Sequence, residues 1–499
     1  MKLNIFLVSF FISFFCLSQD YRYTNTLFSN STKTSNVVYG NAPFINGPLH
    51  TVENSTTNQN LVMDIYRPTG DTFNLRPAVI FAHPGGFLNG SRTVDDMNAM
   101  CDSLARKGYV TATIDYRKGF NLTSNQGLHS IRAVYRGIQD GRTAVRFLRA
   151  NAALYGIDPN KIYFVGSSAG SFIGLHTIYM DTEAEIPPQT GVVNYINITP
   201  PFSHTTPNLG PLDIGNNLSF NGKPDAVVGM WGAIQNTDLI TANNSTPVLL
   251  IHGESDSTVS FNNGSPFGFS LLPVAYGSNS INTRLNQLGF TNHETYFVAG
   301  EGHEFHGTSN GTWSNGTGGN AFYPIIMNRM TQFFWKQHRP DADFEWIASS
   351  NNVTFTDTST GSMAWWWDFG DGNFSNAQNP THIYAASGNY NVKLYVENNI
   401  KSWHEITKTV NVPDLSTNDS LLNALQIYPN PTNGTVQINW SSNLTELSYY
   451  MVDFSGKTVH QKQTITKGET ISLAELTNGL YFMTLTTDNL SKTVKLVKN

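Results

Sequence analysis

Three side chains, far apart along the chain, could together carry out acyl transfer: Ser168, Asp256 and His303. A serine hydroxyl is a weak nucleophile at neutral pH, so it needs a histidine base, and a carboxylate must orient that base and stabilise the imidazolium. Each of the three residues follows an apolar run closely, and they occur in the order serine, acid, histidine. This pattern predicts nucleophilic catalysis in which Ser168 is the nucleophile.

The segment around the serine has the layout of a nucleophile elbow. Gly166-Ser167-Ser168-Ala169-Gly170 follows the apolar run KIYFV and precedes the apolar stretch SFIGLHTIYM. Glycines two positions before and two after the serine allow a strand to turn sharply into a helix without a Cβ clash. We therefore expect the Ser168 hydroxyl to be presented at a strand-to-helix turn.

A second glycine turn could stabilise the oxyanion of the transition state. His83-Pro84-Gly85-Gly86-Phe87 follows the apolar run AVIFA. Backbone N–H groups are the usual oxyanion donors, and proline has none. The expected donors are therefore Gly85 and Gly86, with Ala169 as the third.

The acid and the base each leave one alternative open. Asp256 lies just past the apolar run VLLIHG, with Glu254 as the second candidate for the acid. His303 lies in the glycine-flanked segment GEGHEF, with His306 as the second candidate for the base. The acid and then the histidine are expected to follow the serine, at the carboxyl ends of later strands, which favours Asp256 and His303.

Other carboxylates near these motifs are expected to be structural. Asp140 lies within a helical pattern, whereas Asp115 and Arg117 are expected to form an ion pair that fixes a loop. Substrate selection is expected in three loop-rich segments, residues 120–129, 186–225 and 261–282. These segments contain no charge cluster, so an uncharged substrate is expected.

The elements that must position these residues indicate an α/β domain over residues 20–340. Short apolar β-rich runs alternate there with amphipathic helical stretches, which is typical of a mostly parallel sheet with helices on both faces. After Pro340 the helical pattern ends, and Thr-, Ser-, Asn- and aromatic-rich runs predict two small all-β modules at 341–413 and 424–499, joined by a linker at 414–423.

The N-terminus and the composition limit the compartment and the partners. Lys2 precedes an apolar run too short for a membrane span of about 20 residues, so residues 1–19 are predicted to be a secretory signal peptide. Its removal would leave Cys101 as the single cysteine and exclude an intrachain disulfide.

A net charge of −6 argues against nucleic acid as a partner. The sequence has no HExxH motif or Cys/His cluster, so neither a metal nor a cofactor is expected.

Several motifs over residues 61–337 resemble the carboxylesterase branch of the α/β-hydrolase superfamily, including bacterial esterases that attack plant cell-wall esters. They are GIDPNKIYFVGSSAG, HPGGF, DYR, HGESDSTV and GEGHEF. The resemblance implies a sheet of about eight strands, a triad of Ser168, Asp256 and His303, and activity on carboxylic esters. Polysaccharide-linked esters of the acetyl or feruloyl type, or other polymeric esters, are the expected substrates.

The two C-terminal modules resemble two further families. WWWDFGDG followed by NPTHIYAASGNYNVKLYV resembles the polycystic-kidney-disease-type (PKD) immunoglobulin-like sandwich. Strand alternation would put Trp365 and Trp367 on one face and Trp366 on the other, where an outward ring could contact a polysaccharide or simply pack. The last module, with YPNP, NGLY and a basic end at Lys495, resembles the sorting domain of the type IX secretion system of Bacteroidetes. That resemblance implies export to the cell surface or medium and contact with the secretion machinery.

Two other functions are compatible with the same sequence motifs. A serine peptidase can have the same fold and triad, although such enzymes commonly carry an added domain before the hydrolase. A non-catalytic adhesin could be built on an inactive hydrolase scaffold. The complete set of Ser168, Asp256, His303 and the double-glycine turn favours an enzyme over the adhesin.

Overall fold

The structure is a computed structural model that describes residues 21–45, 53, 56–196, 201–413, 425–440, 445–486 and 491–499. The predicted signal peptide and the predicted linker at 414–423 lie outside the described residues. The chain forms two compact units, the first comprising Met1–Pro340 with Glu397–His404 and the second Asp341–Val396 with Glu405–Asn499.

The first unit is built on a mixed sheet of eight strands, as expected. The strands are β1 (Ser31–Ile45), β2 (Thr56–Pro68), β3 (Arg76–Ala82), β4 (Val110–Ile114), β5 (Ile157–Ser167), β6 (Ala226–Met230), β7 (Val248–Gly253) and β8 (His293–Val298). Their order is β1-β2-β4-β3-β5-β6-β7-β8. β2 is antiparallel to both of its neighbours, and all other pairs are parallel.

Helices cover both faces of this sheet. They are α1 (Asp95–Ala105), α2 (Gln126–Ala150), α3 (Ala152–Tyr155), α4 (Ala169–Tyr179), α5 (Ser278–Gln287) and α6 (Phe322–Lys336). Residues of α2, α4 and α5 pack into one hydrophobic cluster, and residues of α1 and α6 into the other. Every residue of β3, β4, β6 and β7 is buried, which explains their mostly apolar sequences. The predicted α/β-hydrolase fold is confirmed.

Short elements decorate the connections of the first unit. They are the 3₁₀ turns Glu183–Glu185, Pro188–Thr190, Thr237–Leu239 and Pro266–Gly268, the hairpins Asn194–Ile196 with Ser203–Thr205 and Thr308–Ser309 with Thr312–Trp313, and the strands Ala233–Ile234, Asn263–Gly264 and Ala275–Gly277. Arginines of α2 hold the 186–225 segment, because Arg142 and Arg146 bind Asp213 and Arg149 binds Asp225.

The expected ion pair between Asp115 and Arg117 is wrong. Arg117 is buried and binds the equally buried Asp140 of α2, with 2.8 Å between Nη2 and Oδ1. Asp115 instead binds Arg92. A guanidinium taken out of water needs a carboxylate taken out of water with it, and the buried partner of Arg117 comes from α2 rather than from its own loop. Asp140 is structural, as expected.

The second unit contains two all-β modules with separate cores. The first has β9 (Phe344–Ser349), β10 (Asn352–Asp357), β11 (Ala364–Asp368), β12 (Phe374–Ser375), β13 (Thr381–Ile383), β14 (Gly388–Glu397) and β15 (Trp403–Val412), in sheets β9-β10-β13 and β12-β11-β14-β15. The second has β16 (Gln426–Tyr428), β17 (Thr435–Asn439), β18 (Glu446–Asp453), β19 (Thr458–Thr466), β20 (Thr470–Ser472), β21 (Gly479–Thr486) and β22 (Ser491–Lys498), in sheets β16-β17-β20 and β19-β18-β21-β22.

The tryptophans of β11 alternate between its two faces. Trp367 is fully buried in the core, and Trp365 packs against that core and donates its Nε1–H to Asp357. Trp366 is on the opposite face, with its ring edge-on to Tyr395 at 5.3 Å between centroids. Packing therefore accounts for most of this aromatic cluster.

Candidate active site

Ser168 occupies a sharp turn between β5 and α4. Its backbone has φ 51° and ψ −113°, a conformation that L-residues rarely adopt. The flanking glycines are required sterically, since a Cβ at Gly166 would lie 2.1 Å from the carbonyl oxygen of Gly170. The Ser168 N–H donates to the carbonyl of Met230 on β6 at 3.0 Å, which helps to hold the turn. The sequence thus folds into the expected elbow.

The structure brings Ser168, Asp256 and His303 together. His303 Nε2 is 2.9 Å from Ser168 Oγ, and His303 Nδ1 is 2.7 Å from Asp256 Oδ2. Both distances are within hydrogen-bonding range. The histidine, in the loop after β8, therefore bridges the elbow serine and an acid that follows β7. This geometry suits transfer of a proton from the serine hydroxyl to the imidazole.

The carboxylate of Asp256 is buried and saturated with donors. Its Oδ1 accepts hydrogen bonds from the N–H groups of Thr258 and Val259 at 2.8 and 2.9 Å. Burial alone would raise the pKa of Asp256, but hydrogen bonds from His252 and His303 hold that pKa well below its ordinary value. The carboxylate is therefore ionised at neutral pH, as stabilisation of a histidinium requires.

A second histidine, His252 on β7, contacts the same carboxylate. Its Nε2 lies 3.2 Å from Asp256 Oδ2 and 3.0 Å from the carbonyl oxygen of Val259, and its Nδ1 lies 2.8 Å from Ser278 Oγ. The ring is fully buried. His252 is the first residue of the HGESDSTV motif, but that motif by itself gives the histidine no role. A lone histidine in an otherwise apolar strand is a signal that could have found it.

The two alternative residues lie elsewhere. Glu254 is exposed at the start of the loop that follows β7. His306 is fully buried, with its Nε2 3.1 Å from Asp96 Oδ2 and its ring stacked on Trp231. Neither forms a hydrogen bond with Ser168 in the described part of the chain, so the geometry favours Asp256 and His303.

Two of the three expected oxyanion donors lie beside Ser168. Gly86 and Ala169 line the same cavity as the serine, and no hydrogen bond from their N–H groups to a protein atom is found among the described residues. Gly85 is not part of the lining. Its φ is +121°, and a Cβ at this position would lie 2.4 Å from the Asn89 carbonyl oxygen, so the turn itself needs glycine here.

The cavity beside Ser168 is small and mainly apolar, with a volume of about 100 Å³. Its lining consists of Gly86, Phe87, Phe120, Ser130, Ile131, Val134, Ser168, Ala169, Phe172, His176, Gln235, Val259, Pro266, Phe267, Leu272, Pro273, Val274 and Ala275. This set contains no Asp, Glu, Lys or Arg. His176 is neutral at pH 7, because burial lowers its pKa to about 4.

Two of the three segments expected to select substrate contribute to this lining. Segment 120–129 provides Phe120, and segment 261–282 provides six residues from Pro266 to Ala275. No lining residue comes from the described part of segment 186–225, which the arginines of α2 hold instead. Both of these segments therefore contribute to the lining of the cavity.

Segment 261–282 also carries exposed aromatic rings. Phe267 lines the cavity and is 62% exposed, and its ring reaches within 3.4 Å of the place that a Cβ on Gly86 would occupy. Phe269, 47% exposed, is on the same segment but outside the cavity lining. Phe267 has φ 59°, so its position over the glycine turn is held in an unfavourable backbone conformation.

A metal centre is not found in the residues that the structure describes. No group of three or more His, Cys, Asp or Glu side chains is arranged there to hold an ion. The buried carboxylates near His303 have protein partners instead: Glu304 accepts from Thr308, and Asp96 contacts His306.

Three families match separate parts of the chain. Residues 63–194 match the family BD-FAE, residues 340–412 match the PKD domain, and residues 426–499 match the secretion system C-terminal sorting domain.

Curated relatives align with only part of the first unit. Carboxylesterase 3B of Mus musculus is 36% identical over 115 residues, which is 23% of this chain and 19% of that protein. Phenmedipham hydrolase of Pseudarthrobacter oxydans is 32% identical over 114 residues, 22% of each chain. The chain thus spans about a fifth of the length of these relatives.

Among solved structures, the apo form of Thermogutta terrifontis esterase 2 aligns with a TM-score of 0.40 at 18% identity, over 60% of this chain and 93% of the other.

The C-terminal match indicates where the protein goes. A secretion sorting domain indicates export by the type IX system to the cell surface or beyond it. Within the described ranges, no helix has the length and apolar character needed to cross a bilayer. The chain therefore joins an esterase-type α/β-hydrolase domain to a PKD domain and a C-terminal sorting domain of the type IX secretion system.

Proposed function

We propose that this chain is an exported carboxylic ester hydrolase that works through an acyl-enzyme on Ser168. The observation that carries the proposal is the position of His303, within hydrogen-bonding distance of both Ser168 Oγ and Asp256 Oδ2. The matching esterase relatives support the same reaction class.

In the first half of the reaction, Ser168 Oγ attacks the ester carbonyl carbon while His303 Nε2 takes the hydroxyl proton. Asp256 stabilises the imidazolium that forms. The carbonyl oxygen becomes an oxyanion, which the N–H groups of Gly86 and Ala169 are free to bind, with Gly85 as the third proposed donor. Collapse of the tetrahedral intermediate breaks the ester C–O bond, and His303 returns the proton to the leaving alcohol.

In the second half, water replaces the alcohol. His303 takes a proton from water as its oxygen attacks the acyl carbon, and the same oxyanion site stabilises the second tetrahedral intermediate. Breaking the bond to Ser168 Oγ releases the acid and returns the proton to the serine. The apolar cavity beside Ser168 provides a place for an uncharged acyl group.

The substrate is proposed to be a polymer-linked ester, with acetyl or feruloyl groups on polysaccharide as the first compounds to test. Export to the cell surface or medium supports a substrate that cannot enter the cell. The uncharged lining and the exposed rings of Phe267 and Phe269 support neutral acyl and alcohol groups. Polysaccharide contact through the exposed part of Trp366 is a separate proposal, tested by retention of the PKD domain on insoluble polysaccharides.

The reaction is tested with p-nitrophenyl esters from acetyl to octanoyl, using the purified chain and its Ser168→Ala variant. We expect turnover by the wild type and its loss in the variant, with an acyl-length optimum that reflects the cavity. Activity that survives in Ser168→Ala would remove the assignment of the nucleophile. An aminoacyl p-nitroanilide distinguishes a peptidase, and polymer binding without any turnover would point to an adhesin.

A further inference from the structure

The hydrogen-bond partners of the buried His252 ring determine which of its two nitrogens carries a proton. The carbonyl oxygen of Val259, 3.0 Å from Nε2, can only accept a hydrogen bond, so Nε2 must carry a proton. Ser278 Oγ, 2.8 Å from Nδ1, can either donate or accept. A neutral ring therefore receives the serine proton at Nδ1 and donates from Nε2.

The same Nε2–H also faces the acid of the proposed triad. Asp256 Oδ2 is 3.2 Å from His252 Nε2 and 2.7 Å from His303 Nδ1, so two histidines share one carboxylate oxygen. The other oxygen, Oδ1, accepts from two backbone N–H groups. These contacts give the Asp256 carboxylate a defined orientation. Among the described residues, His252 is the only side-chain partner of Asp256 that does not also contact Ser168.

We propose that His252 is a positioning residue that orients Asp256. By donating to Oδ2, it also reduces the negative charge of Asp256 that is available to stabilise the His303 imidazolium. The inference rests on the proposed function, because it assigns a task within that triad. A donor on Oδ2 withdraws part of the negative charge that would otherwise stabilise the His303 imidazolium. Removal of that donor leaves more of this charge for His303, so His303 holds its proton to higher pH.

Other ionisable groups near these residues do not supply the same contact. Glu304 follows His303 in sequence and interacts with it electrostatically, and Asp96 and His306 interact electrostatically with Glu304. The remaining side chains found against His252 are Ser278 and the ring of Phe261, whose centroid is 5.7 Å away. A change made at His252 therefore reaches His303 through Asp256.

The test compares two amides of different reach. In His252→Gln, the side-chain N–H₂ can approach the place of Nε2 and donate to Asp256. In His252→Asn, the shorter amide approaches the place of Nδ1, near Ser278, and leaves Asp256 without this donor. Ser278→Ala is the matched control, because it removes the contact at Nδ1 and retains the one at Nε2. Near-ultraviolet circular dichroism and melting temperature establish that each variant is folded.

The readout is the pH profile of kcat/KM on p-nitrophenyl acetate, together with kcat. We expect His252→Asn to lose about tenfold in kcat, the factor that one hydrogen bond to a charged group is worth, and to shift the acid limb to higher pH. His252→Gln should retain most of kcat and the wild-type limb, as should Ser278→Ala. A folded His252→Asn enzyme whose acid limb stays in place or moves to lower pH would overturn the inference. If His252→Asn does not fold, His252→Gln provides the test, because it keeps the donor to Asp256. A shift of its acid limb away from that of the wild type would then overturn the inference.

If Ser168→Ala abolishes turnover while His252→Asn leaves the acid limb unchanged, the triad stands and only the task of His252 is wrong. If Ser168→Ala keeps its activity, the proposed function itself fails, whatever the profile of the His252 variants.

Discussion

Gly170 lies directly against the backbone of Ala82, so that a Cβ at position 170 would come within 2.1 Å of the Ala82 carbonyl oxygen. Ala82 ends β3 and Gly170 is the second residue of α4. The glycine therefore sets how closely the helix after the elbow serine can approach the neighbouring strand. This contact helps to position Ser168 at the carboxyl end of β5, an interior strand of the sheet.

Gly170→Ala should therefore damage both stability and activity. Neither the strand nor the helix backbone can move away cheaply, so we expect a loss of at least about 2 kcal/mol of unfolding free energy, measured by denaturant unfolding, and reduced ester turnover. Gly191→Ala is the control, because its nearest neighbour would be 3.4 Å away. Equal stability of the two variants would contradict the steric account.

Asp256→Asn should separate the two candidate acids. An amide in place of the carboxylate cannot stabilise the His303 imidazolium, so we expect kcat to fall by about 10⁴-fold. Glu254→Gln, a change on an exposed side chain of the same loop, should stay within about twofold of wild type. Kinetics on p-nitrophenyl acetate measure both. If Glu254→Gln lost far more kcat than Asp256→Asn, Glu254 would be the acid of the triad instead.

The depressed pKa of Asp256 predicts how stability depends on pH. Its folded-state pKa lies well below the unfolded value of about 3.9, so the unfolded state binds the proton more readily. The carboxylate therefore contributes stability above about pH 4, which is lost as the pH falls through and below that value. The melting temperature of wild type should exceed that of Asp256→Asn by more at pH 7 than at pH 3. A difference that is constant with pH would show that Asp256 contributes no such linkage.

Phe267 and Phe269 form a matched pair for substrate binding. Both rings are exposed on the same segment, but only Phe267 lines the cavity and lies over Gly86. We expect Phe267→Ala to raise KM for p-nitrophenyl butyrate by about tenfold, because burial of a phenyl face against an apolar ligand is worth about 1–2 kcal/mol. Phe269→Ala should change KM by less than about twofold. Similar KM values for the two variants would remove Phe267 from the binding site.

The fold and the candidate triad were accessible from sequence for a physical reason. Buried parallel strands are largely apolar and functional loops follow their carboxyl ends, so motif order favours Ser168, Asp256 and His303 as the candidate triad. The glycines of the elbow have a steric requirement that is visible as a pattern. Long-range partners leave no such pattern. The buried partner of Arg117 is Asp140 rather than its neighbour Asp115, and sequence spacing does not reveal it.

The same limit applies around the candidate site. His252 reaches Asp256 only because the turn after β7 folds back on its own strand, and Phe267 reaches Gly86 only through a strained backbone at φ 59°. Both contacts depend on loop conformation, which propensity and periodicity do not determine. None of the described residues of segment 186–225 lines the cavity, and three arginines of α2 bind aspartates of that segment.

The helix that follows Ser168 is buried on all of its sides, from Ala169 to Tyr179. Such a helix cannot fray into solvent while the sheet remains intact, because every turn of it is enclosed by other elements. Loss of ester turnover on heating should therefore coincide with the cooperative unfolding of the whole first unit. Resistance to proteolysis and residual ester turnover should then decline together along one temperature curve.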